Sequence, residues 1–214
     1  MQNYKKALTI AGSDSGGGAG IQADIKTFSA NGVYGMSVIT ALTAQNTKEV
    51  KDIHPVPSDF IEKQIETVME DIGADAVKIG MLHSTEVIQT VVKNMEKYRV
   101  KNLVVDPVMV AASGDKLLQD QAIGNLINDL LPIASLITPN LPEAEIILNR
   151  RINTREEMLQ AAKELSHTGA NSVLLKSGHF EGDQLTDIFY IPLEDQLMEI
   201  PRQRIDTKNT HGTG

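Results

Sequence analysis

The chain has no cysteine among its 214 residues. That absence excludes disulfide scaffolds, thiolate zinc sites and a thiol nucleophile within these residues. Positive charge is in deficit as well, with 20 Lys and Arg against 28 Asp and Glu and a formal net charge of -8. Such a surface repels phosphate backbones and offers no basic footprint for nucleic acid or an anionic membrane. No apolar run approaches the roughly 20 residues of a membrane-spanning helix, and residues 1–16 hold only a short apolar stretch before polar, Gly-rich sequence. Neither export nor insertion is expected, and cytoplasm is the default. Repeats, low-complexity tracts and Pro/Ser-rich linkers are missing too, so the 41% apolar content is expected to build one domain over residues 1–214.

What is present alternates. The apolar run 7–11 enters Gly-rich sequence like a buried strand entering a turn, and Ile21, Ile25 and Phe28 then recur on one helical face, with Gly32 as a stop. Residues 36–44 return to β-branched and apolar types, and Ile61, Ile65, Val68, Met69 and Ile72 restore the helical period. The cycle continues with strands at 74–81, 102–110, 135–138 and 171–176 and helices at 86–98, 122–131 and 154–165, the last opened by a Thr154/Glu157 capping box. Residues 185–192 and 196–201 lack helical spacing and read as a hairpin or edge pair. This pattern predicts a mostly parallel sheet with helices on both faces, and ligands bound at the carboxyl ends of its strands.

The polar motifs fall at those ends: Gly12 to Gly20, Ala44-Gln-Asn-Thr47, Lys78-Ile-Gly-Met81, Asp106-Pro-Val-Met109, Thr138 to Glu143 and Lys176-Ser-Gly-His179. Each alone is ordinary turn or cap chemistry; their shared placement points to a composite ligand crevice. Several familiar sites are excluded. Counting from Gly12 and Gly17, Gly18-Ala19 stands where a Walker A loop needs Lys-Ser/Thr. Gly18, Gly20 and Ala23 fit only a loose dinucleotide fingerprint, with no acid about 20 residues further on. His83, His179 and His211 lack zinc-ligand spacing, and no Gly-x-Ser-x-Gly elbow occurs. Asp106, Asn140 and Glu143 carry oxygens suited to magnesium beside phosphates, while Asn140 is equally placed to cap a helix containing Pro142 and Glu143. Lys176 is a point charge for ATP phosphates or a snorkelling surface lysine.

Taken together, AGSDSGGGAGIQADIKTFSANGVYG, ITALTAQNT, KIGM, DPVM, SLITPNLPEA, LLKSGH and the terminal DTKNTHGTG resemble the hydroxymethylpyrimidine/phosphomethylpyrimidine kinases across essentially the whole chain. The resemblance implies a three-layer ribokinase-like α/β fold, Mg2+ and ATP, a cytoplasmic homodimer and a role in thiamine biosynthesis. It implies a pyrimidine pocket of Gly12, Asp24, Gln45, Met81 and Val108, with Gln45 suited to a ring edge that both donates and accepts. It places Asp106 and Glu143 at the metal, Lys176, Asn140 and Thr210 at the nucleotide, and Gly212, Thr213 and Gly214 in an anion hole. The family pattern continues beyond Gly-Thr-Gly with a Cys base. A chain ending at Gly214 is therefore expected to lack that continuation and to have severely reduced kinase activity, with which retained ligand binding is compatible. Pyridoxal kinase is the nearest alternative, followed by a noncatalytic pyrimidine- or nucleotide-binding protein; a dinucleotide oxidoreductase fits poorly.

Overall fold

The computed structural model describes residues 4–109, 117–178, 184–205 and 207. Strands form where apolar residues run without helical spacing: β1 (Lys6–Asp14), β2 (Tyr34–Gln45), β4 (Ala76–Ile79), β5 (Leu103–Val105), β6 (Leu136–Ile137) and β7 (Val173–Leu175). All neighbouring pairs among these six are parallel, in the order β2-β1-β4-β5-β6-β7. Leu8, Ile10, Val77, Ile79, Leu103, Val105, Ile137, Val173 and Leu175 are all essentially inaccessible, and because they alternate along their strands and stand in register they line one face of the sheet, while Ala7, Thr9 and Ala11 are buried on the other.

Antiparallel strands close both edges. The hairpin β8 (Gln184–Ile191) and β9 (Gln196–Gln203) adds to β7, matching the expected edge pair. At the other edge β3 (Val50–Pro55) pairs with β2, a strand the sequence did not announce. Its residues Lys51, Asp52, His54 and Pro55 are exposed and only Val50 and Ile53 turn inward, three residues apart, so no period-2 signal marks it.

Helices α1 (Gly20–Ala30), α2 (Ser58–Asp71), α3 (Thr85–Lys97), α5 (Leu141–Leu148) and α6 (Arg155–Ser166) make the crossovers. Their ends are set by local chemistry. Ser84 accepts the Val87 N–H at the start of α3, and Thr154 accepts the Glu157 N–H at the start of α6. Glu157 completes that cap one residue early, on the Asn153 N–H at 2.6 Å. Gly32 and Gly169, at φ of 70° and 98°, stop α1 and α6 in a conformation that favours glycine. The helix expected over 122–131 is an irregular run from Asp120 to Ile133: a single α turn, α4 (Ile123–Asn125), precedes a π segment (Leu126–Leu130), with 3-10 turns on either side. Pro132 sits in the last of these, where the α ladder can no longer continue.

The crossover from β1 to β2 runs toward one sheet edge and the chain then returns past β1 to β4. The right-handed rule for parallel crossovers therefore puts α1 on the opposite face from α2 and α3. It also opens a crevice outside the carboxyl ends of β1 and β4, where the strand order reverses.

Candidate functional site

At that crevice Gly12 lies near the end of β1 and Met81 follows β4. A Cβ on Gly12 would lie 2.7 Å from Met81 Cε, so any larger residue there would make the flexible thioether move from its place across the strand end. Met81 packs with Ala41 and Leu117, and Val50, Ile53 and Val108 lie against them, in a cluster separate from the main core. Three residues expected to line a pyrimidine pocket, Gly12, Met81 and Val108, thus meet at one apolar surface.

The glycine loop that follows β1 is wrapped around a carboxylate of its own chain. Buried Asp14 accepts from the N–H groups of Gly16, Gly18 and Ala19 at 2.8 to 2.9 Å, while the Gly17 N–H donates to the Asp14 carbonyl. Four successive amides are satisfied internally, which leaves them no part in cradling a phosphate here. Gly20 needs its missing side chain: at φ of 56° a Cβ there would collide with the Gly12 carbonyl oxygen, so α1 starts pressed against the end of β1.

Gln45 closes β2 beside this loop. Its N–H donates to Ser15 Oγ at 2.9 Å, and the same hydroxyl donates to the Gln45 carbonyl at 2.8 Å. Asp24 stands apart, on the α1 face of the sheet, where Oδ2 accepts from Thr9 Oγ1 at 2.6 Å and Lys78 Nζ at 3.0 Å. The pair is mostly buried and ties α1 to β1 and β4 rather than joining the Met81 cluster.

A second group gathers beyond β5, β6 and β7. Asp106 Oδ1 accepts from Lys176 Nζ at 3.1 Å and Thr138 Oγ1 at 3.2 Å. Asn140 bridges to Lys176 through the main chain and caps α5: its side chain accepts the Glu143 N–H, and Glu143 accepts the Asn140 N–H, both at 2.9 Å. Burial pushes the Glu143 carboxyl up to about 7, the nearby Asp106 charge adds to the rise, and the Asn140 N–H and Lys176 oppose it. Two close carboxylates sharing one lysine suit a divalent cation, and magnesium is usually held by one or two carboxylates with phosphates and water completing its shell. Among the described residues no cluster of three or more His, Cys, Asp or Glu forms a self-sufficient metal cage.

The structure therefore brings Gly12, Met81 and Val108 together, and Asp106, Asn140, Glu143 and Lys176 together, while Asp24 sits in a separate helix-to-sheet network. Thr210, Gly212, Thr213 and Gly214 lie outside the described residues. Sequence reasoning held Asp14, Thr138 and Lys78 within its motifs but gave them no role. The Asp-x-Gly spacing at Asp14 is a legible turn signal, whereas the partners of Thr138 and Lys78 emerge only when strands far apart in sequence are set side by side.

The chain is similar to known proteins over nearly its whole length. Residues 14–214 match the family model described as phosphomethylpyrimidine kinase. The hydroxymethylpyrimidine/phosphomethylpyrimidine kinase of Rhizobium meliloti is 50% identical over 209 residues, 97% of this chain and 77% of that protein. The thiamine biosynthesis bifunctional protein ThiED of Geobacter sulfurreducens is 49% identical over 97% of this chain and 42% of its own length. Among solved structures, an ADP complex of Bacillus subtilis pyridoxal kinase superposes with a TM-score of 0.89 at 36% identity, covering 99% of this chain and 80% of that one.

Proposed function

Because this chain belongs to the phosphomethylpyrimidine kinase family, we propose that it phosphorylates 4-amino-5-hydroxymethyl-2-methylpyrimidine from ATP, and then the resulting monophosphate, in thiamine biosynthesis. One observation carries the reading. The segment after β5 supplies Val108 to the apolar cluster and Asp106 to the charged one, so an acceptor ring and the phosphates of a nucleotide would meet across a few residues of chain.

In each step the bond between the terminal phosphorus and the bridging oxygen of ATP breaks, a bond forms from that phosphorus to the acceptor oxygen, and ADP leaves. The first acceptor is the hydroxymethyl group, whose proton departs; the second is the phosphate it has become. Catalysis of this kind is chiefly positioning and charge stabilisation. Gly12, Met81 and Val108 would seat the ring, and Gln45 would read its polar edge. Lys176, held against Asp106, would bring a cation to the phosphates once they compete for it. Asp106 and Glu143 would hold Mg2+, which neutralises phosphate charge when bound. Asn140 would keep Glu143 in place and adjoin the nucleotide with Thr210, and the amides of Gly212, Thr213 and Gly214 would stabilise the moving group. No helix among the described residues is long and apolar enough to cross a membrane, and we infer a cytoplasmic homodimer from the family.

The likeness to a pyridoxal kinase supplies a second acceptor to test. Phosphoryl transfer from ATP to the pyrimidine, its monophosphate and pyridoxal, followed by product mass, decides between them. The expected result is transfer to both pyrimidines with a higher kcat/KM than to pyridoxal. A preference for pyridoxal reassigns the enzyme to that vitamin, and binding of all three without transfer makes the chain a binding protein.

A further inference from the structure

Thr43 is buried on β2, two residues before Gln45. Its Oγ1 lies 2.7 Å from the Ser13 carbonyl oxygen and 3.1 Å from the Gln45 side-chain amide at Oε1. A hydroxyl carries one proton, and a carbonyl carries none. The shorter contact therefore takes the Thr43 proton, and Thr43 turns only lone pairs toward Gln45. Oxygen lone pairs facing oxygen lone pairs repel, whereas an amide turned over places its NH2 on Thr43 and satisfies both contacts. Which end of a glutamine amide is nitrogen is decided by its hydrogen-bond network, and here the network selects nitrogen toward Thr43.

The rest of Gln45 is already restrained, because Ser15 Oγ engages both its N–H and its carbonyl. With the main chain clamped and the amide nitrogen anchored, the side-chain oxygen is the end left free to accept from a ligand. We propose that Thr43 is the positioning residue that sets acceptor specificity: by anchoring the Gln45 amide nitrogen it presents the Gln45 oxygen, selecting a ring with an exocyclic amine over one with an oxo group at the same place. The selection is sharp because the two rings are electronic opposites. A 4-aminopyrimidine offers a donor at its exocyclic nitrogen and an acceptor at N3, and a 4-oxopyrimidine offers an acceptor at oxygen and a donor at N3–H. This inference rests on the reading of Gln45 as a pyrimidine-binding residue.

The test is calorimetric titration with 4-amino-5-hydroxymethyl-2-methylpyrimidine and its 4-oxo counterpart, which needs no turnover. Wild-type protein is expected to prefer the amine by about a hundredfold, since sites built around one hydrogen-bond pattern reject its inverse strongly. Thr43→Val keeps the β-branched shape and lets the amide turn, so the preference should fall by about tenfold or more. Thr43→Ser should keep it to within about threefold. Equal binding of the two rings by the wild type, or an undiminished preference in folded Thr43→Val, overturns the proposal; the former decides it even where the Val variant does not fold. Gln45→Leu separates the two readings: unchanged affinity for the amine would remove Gln45 from the pocket itself, whereas a loss there with no change in Thr43→Val would sink only the role of Thr43.

Discussion

At the scale of single residues, Glu143 carries the clearest electrostatic consequence. Its carboxyl titrates near 7 in the fold against a usual value of 4.5. An acid whose pKa is raised by folding contributes full stability below the unfolded value and loses it as pH rises through the folded one. Between pH 4.5 and 7 the ligand-free protein should therefore lose stability, on the order of 3 kcal/mol if the whole shift is expressed. Glu143→Gln keeps an oxygen for the Asn140 N–H and removes the charge. Denaturant unfolding without ligand should show this variant more stable than wild type at pH 8, similar at pH 4.5, and weaker in binding Mg-ATP. A variant with the wild-type pH slope would show that burial of this carboxyl does not govern it. Asp24 shows the opposite arrangement: Lys78 and Thr9 meet it in the same interface, so its charge is compensated within the protein.

At the scale of elements, the join between β1 and α1 is the most constrained. Asp14 orders the loop from one side, and Gly20 allows α1 to close against Gly12 from the other. Gly20→Ala adds a side chain at positive φ and drives it into the Gly12 carbonyl, which should cost more than about 2 kcal/mol in unfolding free energy. Gly32→Ala, also at positive φ but with nothing within 4 Å of the added carbon, should cost about 1 kcal/mol. Comparable losses in the two would mean that conformation alone, rather than the contact with β1, makes Gly20 necessary. The α2 and α3 layer is held by buried Ile61, Ile65, Val87, Ile88, Val91 and Met95, while the exposed pairs Glu62 to Lys93 and Glu66 to Lys97 add little each.

At the scale of the whole molecule, function depends on strand ends distributed along the chain. Asp106, Thr138, Asn140 and Lys176 follow three different strands, so their cluster exists only in the folded state. A ligand that binds them should stabilise the fold by mass action: Mg-ATP at 100 times its dissociation constant should add about 2.7 kcal/mol. For a chain of this length that corresponds to a rise of roughly 5 to 10 °C in Tm. Calorimetric scans with ATP, Mg2+ and both together check it; no shift with Mg-ATP would remove the nucleotide from this surface.

The alternation of short apolar runs with helical spacing was enough to determine an α/β sheet, because buried parallel strands and amphipathic helices write their periods directly into the chain. The edge hairpin and the cap at Asn140 were legible for the same local reason. Edge strand β3 was not, since its inward residues Val50 and Ile53 stand three apart and leave no side-chain period. Nor was the π segment in 126–130, since the apolar spacing of that stretch does not distinguish it from an α-helix. For the site, the motifs after each strand named most of the residues, but their grouping was decided by strand order. Lys176 meets Asp106 across 70 residues and Lys78 meets Asp24 across 54, distances in sequence over which no spacing rule operates. Local chemistry determined which residues stand at the strand ends; the order of the strands in the sheet, reversing at β1 and β4 and running on through β5, β6 and β7, decided which of them meet.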